Sequence, residues 1–109
     1  MDFGGVIRNK MRRIYKVKFG TGELAGRASV VDKNGCSVIT AIGVDKKYRK
    51  LGFGKKLMEK IIKKEFHIND CIMLECRPNA GMEERVKAWY ERLGFVSTGE
   101  GKWMILKKS

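Results

Sequence analysis

A single proline, Pro78, and a single histidine, His67, stand in the 109 residues, and no apolar run approaches the roughly 20 residues that a membrane span requires. Without a Pro/Ser-rich stretch, a low-complexity tract or an internal repeat there is no linker to divide the chain, so one domain over residues 1–109 is expected. The first residues, Met1-Asp2-Phe3-Gly4-Gly5, lack the basic-then-apolar layout of a secretory signal, which gives the expectation of a soluble, cytoplasmic protein with no membrane partner. Cysteine is scarce as well. Cys36, Cys71 and Cys76 form an odd set without C-x-x-C spacing, and His67 cannot complete a zinc site with them, so neither a disulfide scaffold nor a metal site is expected. Each cysteine sits among Val, Ile and Leu and reads as a small buried hydrophobe rather than a reactive thiol.

Positive charge, by contrast, is abundant: 24 Lys and Arg stand against 12 Asp and Glu, for a formal net charge of +12. Residues 46–64 hold nine cations against Glu59 alone, and residues 8–18 hold six with no acid, so these stretches exceed the whole net charge. Such polarity suits nucleic acid, an acidic protein or a phosphorylated cofactor. From charge alone, a solvated basic face that keeps the protein soluble is an equally good reading.

Hydrophobic spacing orders the elements. Tyr15, Val17 and Phe19 alternate with lysines; a Gly20-Thr21-Gly22 turn leads into residues 24–32, and Lys33-Asn34-Gly35 turns into residues 36–44, an antiparallel meander. From Leu51 the period changes, with Leu57, Met58, Ile61, Ile62 and Phe66 falling on one helical face. Residues 71–76 form a short apolar strand closed by Pro78. Met82, Val86, Trp89, Tyr90 and Leu93 recur at helical spacing, with Gly94 where a left-handed cap belongs. A hairpin through Gly99-Glu100-Gly101 ends the chain. The order β-β-β-α-β-α-β-β predicts an α/β class with a mixed, mostly antiparallel sheet and two main helices.

The segment Val44-Asp45-Lys46-Lys47-Tyr48-Arg49-Lys50-Leu51-Gly52-Phe53-Gly54-Lys55-Lys56-Leu57 carries the chemistry. A strand ends, a basic loop turns at two glycines, and a helix starts, so backbone N–H groups can converge on an anion at the positive end of the helix dipole. It is not a Walker loop: Arg49 stands where the first glycine is needed, and Lys56 replaces the Ser/Thr that would hold magnesium. Nor does it fit a dinucleotide fingerprint, because Leu57 occupies the third glycine position.

The remaining pattern, Arg49-x-x-Gly52-x-Gly54 after a strand and before an amphipathic helix, resembles the acyl-CoA-binding motif of the GNAT superfamily of N-acetyltransferases. The likeness continues through Asn79 and Ala88-Trp89-Tyr90-Glu91-Arg92-Leu93-Gly94-Phe95, which is similar to the family's second motif, with Tyr90 two places after Ala88. The resemblance implies a GNAT-like fold and transfer of an acetyl group from acetyl-CoA to an amine. The acceptor, a small molecule or a protein, attacks the thioester directly. It also implies that Ile42, Gly43 and Val44 bind the pantetheine arm as an added strand would. Arg49, Lys50, Gly52, Phe53, Gly54 and Lys55 inherit the pyrophosphate, Asn79 a cofactor contact, and Tyr90 the role of acid to the departing thiolate. A backbone N–H near Val44 would stabilise the charge that develops on oxygen.

The general base is open: Glu75 on the facing strand, Glu23, a water chain, or an amine that arrives deprotonated. Lys46 departs from the family's frequent proline. Only about 43 residues precede the loop, too few for the first strand and two helices that usually build the acceptor lid. Recognition then falls to a reduced surface or a partner, and Arg8, Lys10, Arg12, Arg13, Lys16 and Lys18 offer a basic surface for an acidic macromolecule. A homodimer is compatible with this reading. The alternative is a non-catalytic basic module on a degenerate acetyltransferase fold that contacts nucleic acid or an acidic protein.

Overall fold

A computed structural model describes residues 12–20, 22–49, 51–77 and 83–109. Strands β1 (Arg13–Phe19), β2 (Glu23–Lys33) and β3 (Cys36–Val44) form the expected meander. A single 3-10 turn (Lys46–Tyr48) leads to helix α1 (Phe53–Glu65), then β4 (Cys71–Glu75), helix α2 (Glu83–Arg92), β5 (Val96–Ser97) and β6 (Trp103–Lys107). Among the described residues six strands make one sheet in the order β1-β2-β3-β4-β6-β5. All neighbours are antiparallel except β3 and β4, which run parallel because α1 crosses over between them. The mixed α/β class and the element order match the sequence expectation.

Both helices pack on the same face of the sheet. Leu57, Met58 and Ile61 of α1 and Tyr90 of α2 join one core with Tyr15, Ala28, Val30, Ile39, Ile72, Leu74, Phe95 and Met104. This follows from the period-2 alternation of the strands, which sends every second side chain to the helices and the next to the opposite face. Gly94, at φ 105°, ends α2 in the left-handed region, where the sequence places the cap.

At the end of the sheet far from the basic loop, the core contains one ionised group among the described residues. Glu65 is fully buried on the last turn of α1. It accepts hydrogen bonds from Arg13 Nε and Nη2, both at 2.8 Å, from Ser37 Oγ at 2.6 Å, and from the Tyr15 hydroxyl. Arg13 also grips Asp32 through Nη1 and Nη2, at 3.1 and 2.8 Å. The basic N-terminal stretch is therefore not one surface: Arg13 is consumed internally, while Lys16 and Lys18 are exposed. Arg8 and Lys10 lie outside the described residues.

The cysteines need a correction. Cys36 and Cys71 are joined as a disulfide across β3 and β4, with their Cα atoms 4.8 Å apart, whereas Cys76 is free and buried. The crossover of α1 brings the starts of two parallel strands side by side, so residues 35 apart in sequence become neighbours, which local spacing does not show. Among the described residues no helix is long and apolar enough to cross a membrane.

Candidate active site

The β3–β4 pairing begins at Ser37 opposite Ile72, continues through Val38 opposite Met73 and Ile39 opposite Leu74, and goes no further. The cause lies on the other side of β3. Its register against β2 slips between Val30, opposite Ile39, and Ser29, opposite Ala41, so Thr40 is the extra residue of a bulge. A bulge bends its strand and increases its twist. Beyond Thr40, β3 stays with β2 as far as Val44 opposite Gly26, while β4 stays with β6 as far as Glu75 opposite Trp103. The Thr40 hydroxyl lies 2.7 Å from that of Ser29, which fixes the bulge to β2.

A cleft of about 670 Å³ opens where the strands part. Thr40, Ala41, Ile42 and Arg49 form one wall; Glu75, Arg77 and Trp103 form the other; Val86 and Tyr90 of α2 close it from the helix side. Gly43 and Val44 lie past these lining residues. The Val44 carbonyl accepts a hydrogen bond from Arg49 Nε at 3.2 Å, which ties the basic loop to the strand end.

The loop is held by aromatic packing. Phe19 stacks on Tyr48 with centroids 5.1 Å apart, and Phe53 meets both edge-on at 6.0 and 5.7 Å. Phe53 is thus a packing residue of the loop as well as a member of the motif. Asp45 accepts the Lys47 N–H at 3.1 Å and caps the 3-10 turn. This cluster packs the loop and the start of α1 against the end of β1.

The two motif glycines do different work. Gly52 is the N-cap of α1 at φ 85°, a left-handed conformation that L side chains rarely adopt, and it supplies no side-chain cap to the helix N–H groups. The first N–H groups of a helix have no intrahelical acceptor, so those of Phe53, Gly54 and Lys55 are free to receive an anion. Gly54 instead faces inward: a Cβ there would meet Trp89 Cζ2 at 3.6 Å and Val44 Cγ2 at 3.8 Å. Both are ordinary contact distances, so a methyl group fits at Gly54 while a larger side chain would press on α2 and β3.

Tyr90 is buried, with its ring edge-on to Trp89 and Phe95 at 5.2 and 5.9 Å, and it still reaches the cleft. Burial, and beyond it the nearby Cys76 sulfur, raises its pKa above the ordinary phenol value, so the hydroxyl stays protonated at neutral pH. Glu75 enters from the opposite direction. Leu74 points into the core under the helices, so Glu75 points to the helix-free face, where Arg77 Nε holds its carboxylate at 2.9 Å. Glu23, the other candidate base, is not among the cleft residues; Lys47 pairs with it at 2.5 Å and holds its pKa below the usual carboxylate value. Lys50 and Asn79 lie outside the described residues. Thr40, Arg77 and Trp103 carry no motif signal; only the register slip and the strand pairing reveal them.

The domain family described as Acetyltransferase (GNAT) domain matches residues 11–97. Among solved structures, the ribosomal-protein-S18-alanine N-acetyltransferase from Escherichia coli superposes with a TM-score of 0.74 at 23% identity, covering 96% of this chain and 74% of its own. Nourseothricin acetyltransferase gives 0.73 at 21%, covering 92% and 67%. The anti-CRISPR protein AcrVA5 gives 0.68 at 15%, covering 86% of this chain and 98% of that one. At these identities the likeness is one of fold. No curated protein matches the chain by sequence.

Proposed function

Because the chain belongs to the GNAT acetyltransferase family, we propose that it transfers the acetyl group of acetyl-CoA to an amine at the mouth of the β3–β4 cleft. The observation that carries this reading is the coincidence of three features in one place. Thr40, Ala41 and Ile42 on the β3 edge beyond Ile39, Arg49 of the loop that leads to the uncapped start of α1, and Tyr90 all line a single cleft.

These residues fit the cosubstrate. Phe53, Gly54 and Lys55 would present N–H groups to its pyrophosphate, with Arg49 adding charge and Lys50 inheriting the same role from the motif. The edge of β3 from Ile42 to Val44 would hold the pantetheine amide groups as a neighbouring strand does. Asn79 keeps the cofactor contact that the motif assigns to it. Bound acetyl-CoA supplies an activated thioester. The chain orients the amine, places a backbone N–H of the β3 edge where negative charge grows on oxygen, and donates the Tyr90 proton to the departing sulfur.

Acid and acceptor approach from opposite sides in this scheme. Tyr90 belongs to the helix side and Glu75 to the helix-free side, so an amine that enters past Glu75 meets the thioester opposite the proton donor. Glu75, already engaged by Arg77, orients the amine and takes up its proton after attack. The fold alone does not choose the acceptor, since the E. coli neighbour is named for a ribosomal protein and another for nourseothricin. Nothing in these comparisons favours a non-catalytic module.

Thermal unfolding with cosubstrate tests the binding step. At about 100 times its Kd, acetyl-CoA should add about 2.7 kcal/mol of stability and raise Tm by roughly 10 °C. Release of free CoA thiol on addition of an amine panel then tests transfer. No shift with either CoA or acetyl-CoA would refute the assignment.

A further inference from the structure

Strand alternation determines which side chains share the helix-free face beside the cleft. Tyr15, Ala28, Val30 and Ile39 enter the core under the helices, so their neighbours point the other way. On β1 these are Ile14, Lys16 and Lys18; on β2, Arg27 and Ser29. Lys16 lies opposite Arg27, and Arg27 opposite Gly43, so two exposed cations stand in one row that runs to the strand bordering the cleft. Lys18 extends the positive edge by one step along β1.

The acids of these strands are engaged on other groups. Asp32 is held by Arg13, which reaches Glu65 in the core, and Glu23 is paired with Lys47 of the basic loop. Among the described strand residues, Glu75 is the one acid on the helix-free face, and Arg77 engages it. Asp32 and Glu23 thus lie on the helix side of the sheet with cations of their own, away from Lys16, Lys18 and Arg27.

We propose that the acceptor amine is carried by an acidic polypeptide segment that docks on this face along Lys16, Lys18 and Arg27; the proposal rests on the acetyl-transfer reading. A free amine is a cation until it loses its proton, so a small polyamine would be repelled by this row. The amine must therefore arrive with negative charge around it. Single-stranded nucleic acid would call for aromatic faces on which bases stack. Among the described strand residues Trp103 is the one aromatic on this side, and it is half-buried in the cleft wall. Between the cations and the cleft stand Ser29, Ala41 and Gly43, small enough for an extended main chain to lie close to the sheet. Carboxylates flanking a lysine or an α-amine would meet the row while the amine reaches Glu75.

The test compares acetyl transfer by the full chain to peptides of equal length, each with one lysine flanked by Glu/Asp, by Ser/Gly or by Arg. Spermine and an amine-bearing oligonucleotide complete the panel. The acidic peptide should exceed the basic one by about tenfold in kcat/KM at low salt, a gap that narrows as salt rises to about 0.5 M. Lys16→Glu/Lys18→Glu/Arg27→Glu should reverse that order with unchanged acetyl-CoA affinity. The milder Lys16→Gln/Arg27→Gln should abolish the preference if charge reversal costs the fold. Equal rates on the three peptides, an order kept in the variants, or a faster reaction with spermine or the oligonucleotide would overturn the proposal. Fluorescence anisotropy of a pre-acetylated acidic peptide reads docking without chemistry. Docking that the variants lose, without any transfer, would uphold the surface and count against the acetyl-transfer reading. Transfer to all peptides alike would do the reverse.

Discussion

Tyr90 and Glu75 border one cleft from opposite faces of the sheet: the phenol belongs to the buried core under the helices, and the carboxylate stands on the helix-free side with Arg77. In the proposed reaction, the two groups that would handle protons are thereby kept apart by the strands that would hold the reacting carbonyl. The separation suits a reaction in which the nucleophile gives up a proton on one side and the leaving group gains one on the other.

Tyr90→Phe keeps the ring between Trp89 and Phe95 and removes one oxygen. Acetyl transfer in a single turnover should slow by roughly 10²-fold, the usual worth of a positioned acid, while acetyl-CoA affinity by calorimetry and Tm stay near wild type. Equal rates would assign the residue to the core alone.

The glycines of the loop should respond unequally. Gly52→Ala forces a side chain onto φ 85° and should weaken acetyl-CoA binding by about tenfold, because a strain of 1–2 kcal/mol displaces the helix start. Gly54→Ala adds a methyl at ordinary contact distance from Trp89 and Val44 and should leave affinity within about threefold of wild type. Isothermal calorimetry on the two variants checks the order.

Stability should fall at both ends of the pH scale through one cluster. Burial works to raise the Glu65 pKa, but hydrogen bonds from Arg13, Ser37 and Tyr15 outweigh it and hold the carboxyl below its ordinary value. A depressed carboxyl stabilises the fold above its unfolded pKa, near 4.5, and that stability drains as pH falls through the lower folded value. Tyr15 behaves oppositely: burial, then the Glu65 bond, pushes its pKa up to about 12, so its contribution is complete below 10 and is lost as pH rises through 12. Glu65→Gln should cost about 3 kcal/mol at pH 7, read from urea unfolding, and flatten the acid limb.

Much of this was legible in the chain. Alternation of Tyr15, Val17 and Phe19 and the helical spacing of Leu57, Met58 and Ile61 predict the elements, since each pattern is the imprint of one buried face. The Arg49-x-x-Gly52-x-Gly54 spacing locates the turn into α1 because the geometry there is local. What the sequence hides is set by pairing at a distance. The Thr40 bulge appears only in the register of β3 against β2, and the Cys36–Cys71 bond only once a crossover aligns two strands. Arg13 reads as one cation among six, yet the buried carboxylate of Glu65, 52 residues away, removes it from the surface.

Hydrogen–deuterium exchange with and without acetyl-CoA tests the central claim most directly, because it reports where the cosubstrate lies as well as whether it binds. Saturating acetyl-CoA should slow exchange in Thr40–Val44 and Phe53–Lys55, and leave Ser37–Ile39, already paired to β4, nearly unchanged. Saturation with unaltered exchange in both segments, or protection confined to another part of the sheet, would contradict the account.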